Sequence, residues 1–313
     1  MTPRAYAALS LLVLAGSSIA GAQGTESFSR GPGISNARSA GLADGTVSEA
    51  FEPVYMFANP ACLSFLQNYS LTLDHRREIT SGVLVEGATF PLSPGSANVF
   101  ALGFGATHIG YLGSSKGFKF LQFSGSLGYS FKLMPTMSLG ILVEYLQGKT
   151  DINQQSAGWI SLGVFYQPFS GMSYGMSFRG LGRGLGYQYD GVASVVTRED
   201  RIERSLEIGG TFRYPTRIRR PFLNVNLSTE RLFLEKSLVY KGAFEIYPVS
   251  FFGIRLGYVS AGDFVGGRYG ASFGFDIFRL DYSIAPSRLG ARFHQFSMSI
   301  RFSENKNWWQ PRQ

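Results

Sequence analysis

From Tyr69 to Phe302 apolar side chains recur at every second position, the period of a strand that buries one face. Leu121, Phe123, Leu127, Tyr129 and Phe131 alternate with Gln122, Ser124, Ser126, Gly128 and Ser130. Phe252, Ile254, Leu256 and Tyr258 alternate with Gly253, Arg255 and Gly257, and Phe296, Met298, Ile300 and Phe302 with Ser297, Ser299 and Arg301. Tight turns such as Ser93-Pro94-Gly95, Met134-Pro135-Thr136 and Pro168-Phe169-Ser170-Gly171 separate the runs. The pattern predicts about fourteen strands, an even number as in bacterial single-chain barrels. They fall near 69–76, 80–91, 98–111, 118–132, 136–148, 156–168, 172–180, 203–214, 221–230, 237–247, 250–260, 267–276, 278–284 and 292–302.

Alternation is shared by soluble sandwiches and membrane barrels; composition and loop lengths decide between them. The chain holds 39 Gly, 27 Phe and 16 Tyr, and only 16% of its residues are charged, against roughly 25% in a soluble domain. The apolar phase is aromatic, with rings near strand ends, where an interfacial girdle lies. The other phase is Gly, Ser, Gln and charges of both signs, which suits a crowded lumen. The longest connection, Leu181 to Ile202, falls on the same side as the other long loops, with the Pro-containing turns opposite, as in outer-membrane barrels. The expected fold is therefore all-β: a transmembrane antiparallel up-and-down barrel with an N-terminal hatch.

Residues 1–22 read as a cleaved secretory signal, with Arg4, the apolar run Ala5–Ala15 and the small-x-small site Ala20-Gly21-Ala22. Residues 23–68 lack strand alternation and are expected to form the hatch, 69–302 the barrel and 303–313 a tail, whose Trp308-Trp309 suits the membrane interface or, alternatively, a partner-binding peptide. The expected location is the outer membrane of a Gram-negative-type bacterium, with outer-membrane lipid as a partner. The single Cys62 excludes a disulfide scaffold. The formal net charge of +8 is dispersed, and export makes nucleic acid an improbable partner. The basic group Arg217, Arg219 and Arg220 lies in a turn, beside lipid head groups or solvent.

The segment Ala37-Arg38-Ser39-Ala40-Gly41-Leu42, followed by Asn59-Pro60-Ala61 before the first strand, resembles the long-chain fatty-acid transporter superfamily, in which such a segment is a hatch inside a fourteen-strand barrel. Phe178-Arg179-Gly180-Leu181-Gly182, Phe278-Arg279-Leu280-Asp281-Tyr282, Leu289-Gly290 and His294-Gln295-Phe296-Ser297 are similar to the PorV/PorQ family associated with type IX secretion. Gly180 stands where that family often has Asn, and the chain continues past Phe302. The resemblance implies an accessory or shuttle in protein export, with a secretion translocon and secreted cargo as partners. The alternative it implies is passive uptake of hydrophobic small molecules, as in the fatty-acid transporter relatives; a third reading is a structural barrel without transport.

Chemistry of an enzyme is not evident, and no metal or cofactor is expected. His75, His108 and His294 all share the apolar phase of their strands, pointing away from the lumen where a catalytic or metal site would need them. The run Gly180–Gly186 lacks the spacing and strand–helix context of a dinucleotide fingerprint and reads as a transition into loop. The candidate site is instead the hatch residues Arg38, Gly41, Asn59, Pro60 and Ala61, with the inward-phase charges Glu144, Glu207, Arg213, Glu230, Lys241, Glu245, Arg255, Arg268, Asp276, Arg279, Asp281 and Arg301, read first as a network that fastens hatch to wall and alternatively as a polar path for solute. Charges of both signs in a narrow lumen pair across strands and to the hatch, and Arg38 is the expected hatch partner of one of the acids.

Overall fold

The structure, a computed structural model, describes residues 35–78, 83–109, 120–150, 153–189, 198–200, 202–214, 222–249, 251–262, 264–275, 277–286 and 292–302. The expected signal, residues 23–34 of the hatch, the tail with its tryptophans, the turn with Arg217, Arg219 and Arg220, Leu289-Gly290, and Asp276 lie outside the described residues.

The strands are β1 (Tyr69–Glu78), β2 (Val83–Pro91), β3 (Asn98–Ile109), β4 (Phe120–Met134), β5 (Met137–Thr150), β6 (Asn153–Phe169), β7 (Met172–Tyr189), β8 (Arg198–Asp200), β9 (Ser205–Tyr214), β10 (Leu223–Leu232), β11 (Leu238–Val249), β12 (Phe252–Ala261), β13 (Phe264–Phe275), β14 (Phe278–Pro286) and β15 (Arg292–Phe302). Fourteen of them form a closed antiparallel meander, each pairing its neighbour, with β1 pairing β15 to seal the wall. The three-residue β8 adds to the far end of β7. Closure satisfies every ladder, which an open edge in lipid could not. The long strands have the roughly 9–11 residues needed to cross a bilayer.

The two phases part as alternation requires. Leu227 is 63% exposed and Phe275 70%, and Phe104, Phe123, Tyr145, Ile208, Leu280 and Phe296 share that outer face. So large an apolar surface is a lipid-facing band. At the short-turn end, Tyr69 packs near Phe90, Phe100 on Tyr129 and Tyr166 on Tyr174, making the girdle. Inside, Ser, Thr, Gly and charged side chains are buried.

One expectation needs correction. Leu181–Tyr189, read as loop, continues β7 and pairs with β6. The glycines Gly182, Gly184 and Gly186 carry no side chain to display a period of two, so the strand was hidden from pattern reading, yet Gly182 and Gly186 pair with Trp159 and Ser156 in the ladder. The register shifts between Ser156/Gly158 and between Ile160/Leu162, so β7 carries bulges that twist it where β8 joins. Gly180 sits at φ 80°, and a Cβ there would lie 2.3 Å from the Glu203 carbonyl oxygen. Asn, which tolerates the left-handed region better than most residues, would fit the dihedral but not that contact.

Within the barrel, residues 35–68 form helix α1 (Ala37–Gly41) and two 3-10 helices, Pro53–Phe57 and Pro60–Phe65. Asn36 caps α1 by accepting from the Ser39 amide (2.7 Å). The chain leaves α1 through Ala43 and Asp44, both in the left-handed region. Pro53 and Pro60 begin their helices, where a missing N–H costs nothing.

Candidate functional site: a hatch bolted to the lumen wall

The hatch is seated by wall positions that lack side chains. A Cβ on Gly140 would lie 2.4 Å from the Ala61 amide nitrogen and the Pro60 carbonyl carbon, one on Gly163 2.0 Å from Asn59 Oδ1, and one on Gly175 1.9 Å from the Val47 carbonyl oxygen. On the opposite wall α1 rests similarly: a Cβ on Gly257 would approach the Gly41 carbonyl oxygen to 2.7 Å. Many of the lumen glycines are thus the footprint of the hatch. Asn59 donates to the carbonyls of Val47 (2.8 Å) and Val164 (2.9 Å) and accepts from the Ala61 amide (3.1 Å). It ties two parts of the hatch to β6. The Ala61 carbonyl accepts from the hydroxyls of Ser130 (2.9 Å) and Ser138 (2.6 Å). Pro60 and Ala61 make the close approach to Gly140, and Cys62 and Leu63 are fully buried beside them. Burial pushes the Cys62 thiol up, so it is an inert core group while the hatch is seated.

Charge completes the seat. The Arg38 guanidinium grips Glu245 with two bonds, Nε–Oε1 3.0 Å and Nη2–Oε2 2.6 Å, donates to the Tyr55 hydroxyl, and lies 3.7 Å from Glu49. Glu245 also accepts from Arg255, which binds Asp281 (2.6 Å); Asp281 accepts from Arg279 (2.7 Å), and Arg279 reaches back to Glu52 of the hatch. Arg213 (3.4 Å) and Asn224 (2.8 Å) hold Glu49. The pairs form a chain that begins and ends in the hatch: Glu49, Arg38, Glu245, Arg255, Asp281, Arg279, Glu52. Its cations, with Arg213, balance its acids. Burial alone would lower the Arg38 pKa, but Glu245, Tyr55 and Glu49 hold it well above the usual value, so the guanidinium stays charged. Such a network adds little net stability over an apolar core, but removing one member strands a buried charge.

A second cluster lies higher in the lumen. Arg179 bridges Glu207 (2.8 Å) and Glu230 (2.7 Å), and Lys241 pairs with the same two acids (3.0 Å each) while donating to the Asp44 carbonyl (3.3 Å). Glu144 accepts from the Trp159 indole (2.6 Å). Arg268 makes no ion pair among the described residues, and Arg301 is buried at the short-turn end of β15. The structure thus joins Arg38, Glu245, Arg255, Arg279, Asp281 and Arg213 in one network and Glu207, Glu230 and Lys241 in another. Sequence reasoning left out Glu49, Glu52, Tyr55 and Arg179. The first three sit in a segment with no period to show which way a side chain points; Arg179 sits beside Gly180, where the alternation breaks.

The histidines face outward: His108 is exposed, His75 pairs with Glu86 (2.7 Å), and His294 with the Tyr282 hydroxyl (2.6 Å). A hollow of about 420 Å³ lies on that side of the barrel, lined by Leu73, His75, Phe273, Leu280, Phe296 and Met298 among others. No His, Cys, Asp or Glu cluster among the described residues could hold a metal ion.

By sequence the chain matches no protein-family model and no curated protein. By structure it is similar to the toluene transporter TbuX of Ralstonia pickettii (13% identity, TM-score 0.56, 83% of this chain and 98% of that one). It is likewise similar to the toluene transporter TodX of P. putida (12%, 0.60, 81% and 95%) and to a Pseudomonas aeruginosa FadL homologue (11%, 0.60, 87% and 98%). At these identities the likeness lies in the fold. The chain shares the fold of these barrels: fourteen antiparallel strands closed around an amino-terminal hatch.

Proposed function

We propose that the protein is a passive outer-membrane channel for hydrophobic small molecules, inserted after export by a cleaved signal. The observation that carries this reading is the hatch. A barrel whose lumen is closed by a segment of its own chain is no open pore for bulk polar solutes, and structures of the same architecture are transporters and channels for toluene and monoaromatic hydrocarbons. The export-accessory role implied by the PorV/PorQ resemblance draws no support from these likenesses, while the uptake alternative does. None of the matched proteins named above is an enzyme by its description. The test is accumulation of radiolabelled toluene at low concentration by cells with intact outer membranes, with and without the protein. A several-fold rise, with no rise for a sugar of similar size, is expected. Equal accumulation in both strains would refute the reading.

A further inference from the structure

The three histidines of the chain, from three different strands, come to one stretch of the outer face. Across the ladders Arg77 of β1 faces His294 of β15 on one side and Leu84 of β2 on the other, and Leu84 faces His108 of β3. His75 stands two residues below Arg77, and Arg292 two residues above His294, each on the outer phase of its strand. Arg77, Arg292 and His108 are exposed, and neither arginine has an ion pair among the described residues. His75 Nδ1 is held by Glu86 (2.7 Å) and His294 Nδ1 by the Tyr282 hydroxyl (2.6 Å), which orients both rings and leaves Nε2 of each for a ligand. Glu86 is the one acid among the described outward residues of β1–β3 and β13–β15. The patch is therefore positive before any histidine takes a proton.

Height decides what meets this patch. Arg77 and His294 each lie eight residues along their strands from the paired Tyr69 and Phe302 at the short-turn end. At about 3.3 Å per residue and a tilt of about 40°, that is about 20 Å up the wall, near the far edge of an apolar band about 25 Å tall. Lipid head groups lie at that edge. Toward the middle of the membrane the patch runs straight into the hollow of about 420 Å³, which His75 and Glu86 also line. Leu73, Phe273, Leu280 and Met298 wall the hollow, and the small Ala271, facing Tyr282, leaves it room. Behind it stand Asp74, Ser272, Asp281 and Ser297 of the inner phase, all buried.

A positive rim above an apolar hollow is the complement of an anionic amphiphile. We infer that this face seats one anionic phospholipid of the surrounding membrane, its phosphate on Arg77, Arg292 and His294 and an acyl chain in the hollow. The inference rests on the membrane placement in the reading above and not on what crosses the lumen. Guanidinium and ring N–H groups are the donors that phosphate oxygens take. A tail entering the hollow only leaves other tails, so it brings no hydrophobic gain; the hollow fixes where the lipid sits, and the arginines decide which lipid it is. One arginine near a lipid phosphate is worth about fivefold and two about thirtyfold in affinity.

The test mixes the protein, purified in detergent, with equal amounts of dioleoyl phosphatidylglycerol and dioleoyl phosphatidylcholine and counts retained lipid by native mass spectrometry. The wild-type protein is expected to retain one phosphatidylglycerol with a preference of about five- to thirtyfold over phosphatidylcholine. Arg77→Gln/Arg292→Gln is expected to abolish the preference, and Ala271→Trp, which fills the hollow, to lower retention severalfold; heat-modifiable gel mobility verifies that each barrel is folded. Arg231→Gln, an exposed outer arginine on β10, should change nothing. Equal retention of the two lipids or retention of neither by the wild type, a preference that survives the double variant, or one that Arg231→Gln removes as well, overturns the inference. So does retention unchanged by Ala271→Trp, the result of loose charge attraction without a seat. Millimolar inorganic phosphate should leave the lipid on the wild-type protein; its displacement would mean an anion site without a tail and overturns the inference even if the variants fail to fold. None of these outcomes touches the channel reading, which the toluene assay decides.

Discussion

Replacing Arg38 with Met tests whether the ion network holds the hatch. The substitution keeps the length and apolar stem but removes the charge that grips Glu245 and faces Glu49. Breaking a buried pair costs about 3–5 kcal/mol. Here Glu245 keeps Arg255, and Glu49 keeps Arg213 and Asn224, so the lower end, about 3 kcal/mol, is appropriate. The strand ladders do not involve Arg38, so the loss falls on hatch opening and not on the barrel. The single Cys62, fully buried in the hatch, reports it. If labelling by a maleimide proceeds through a rare open state, about 3 kcal/mol accelerates it on the order of a hundredfold. Unboiled gel mobility should stay that of a folded barrel. Adding Glu245→Gln to the Arg38 variant restores the charge balance across the lumen, and part of the protection should return. Labelling of the Arg38 variant less than about threefold faster than wild type (under roughly 0.7 kcal/mol) would refute the claim that this network fastens the hatch.

Gly140→Ala and Gly175→Ala place a methyl group against hatch backbone that cannot rotate away; each should raise Cys62 labelling, whereas Gly125→Ala, with nothing within 4 Å, should leave it unchanged. Asn59→Leu removes bonds to the Val47 and Val164 carbonyls and is expected to destabilise hatch seating by about 1–3 kcal/mol, read by the same labelling. Leu227→Arg puts a charge on the outer face, and if that face meets lipid the equilibrium refolding into vesicles should weaken by about 2–4 kcal/mol; an effect under about 0.5 kcal/mol, usual for a water-exposed site, would contradict membrane embedding.

The architecture was legible because one physical requirement, a lipid-facing side on every strand, writes a period of two into the chain. Where the requirement is strong, as at Phe252–Tyr258 or Phe296–Phe302, the strands stand where the pattern puts them. Where side chains are absent, as at Gly182–Gly186, the pattern is silent although the ladder continues. The same logic governs the site. Phase alone places Glu245, Arg255 and Asp281 inward, because a strand leaves a side chain two choices. It does not place Glu49 or Glu52, because short 3-10 turns and loops leave many.

The sequence by itself determined the phases, the approximate strand count, the outward histidines and a separate amino-terminal segment, all of them consequences of local backbone geometry and solvent preference. The tertiary structure alone decided the rest: β1 meeting β15, the glycine footprint of the hatch, and the alternating chain of ions that starts and ends in it. These depend on which residues meet across the lumen, from strands as far apart in the chain as β1 and β15. A repeating pattern fixes the direction of each side chain, but only closure of the barrel fixes what stands opposite.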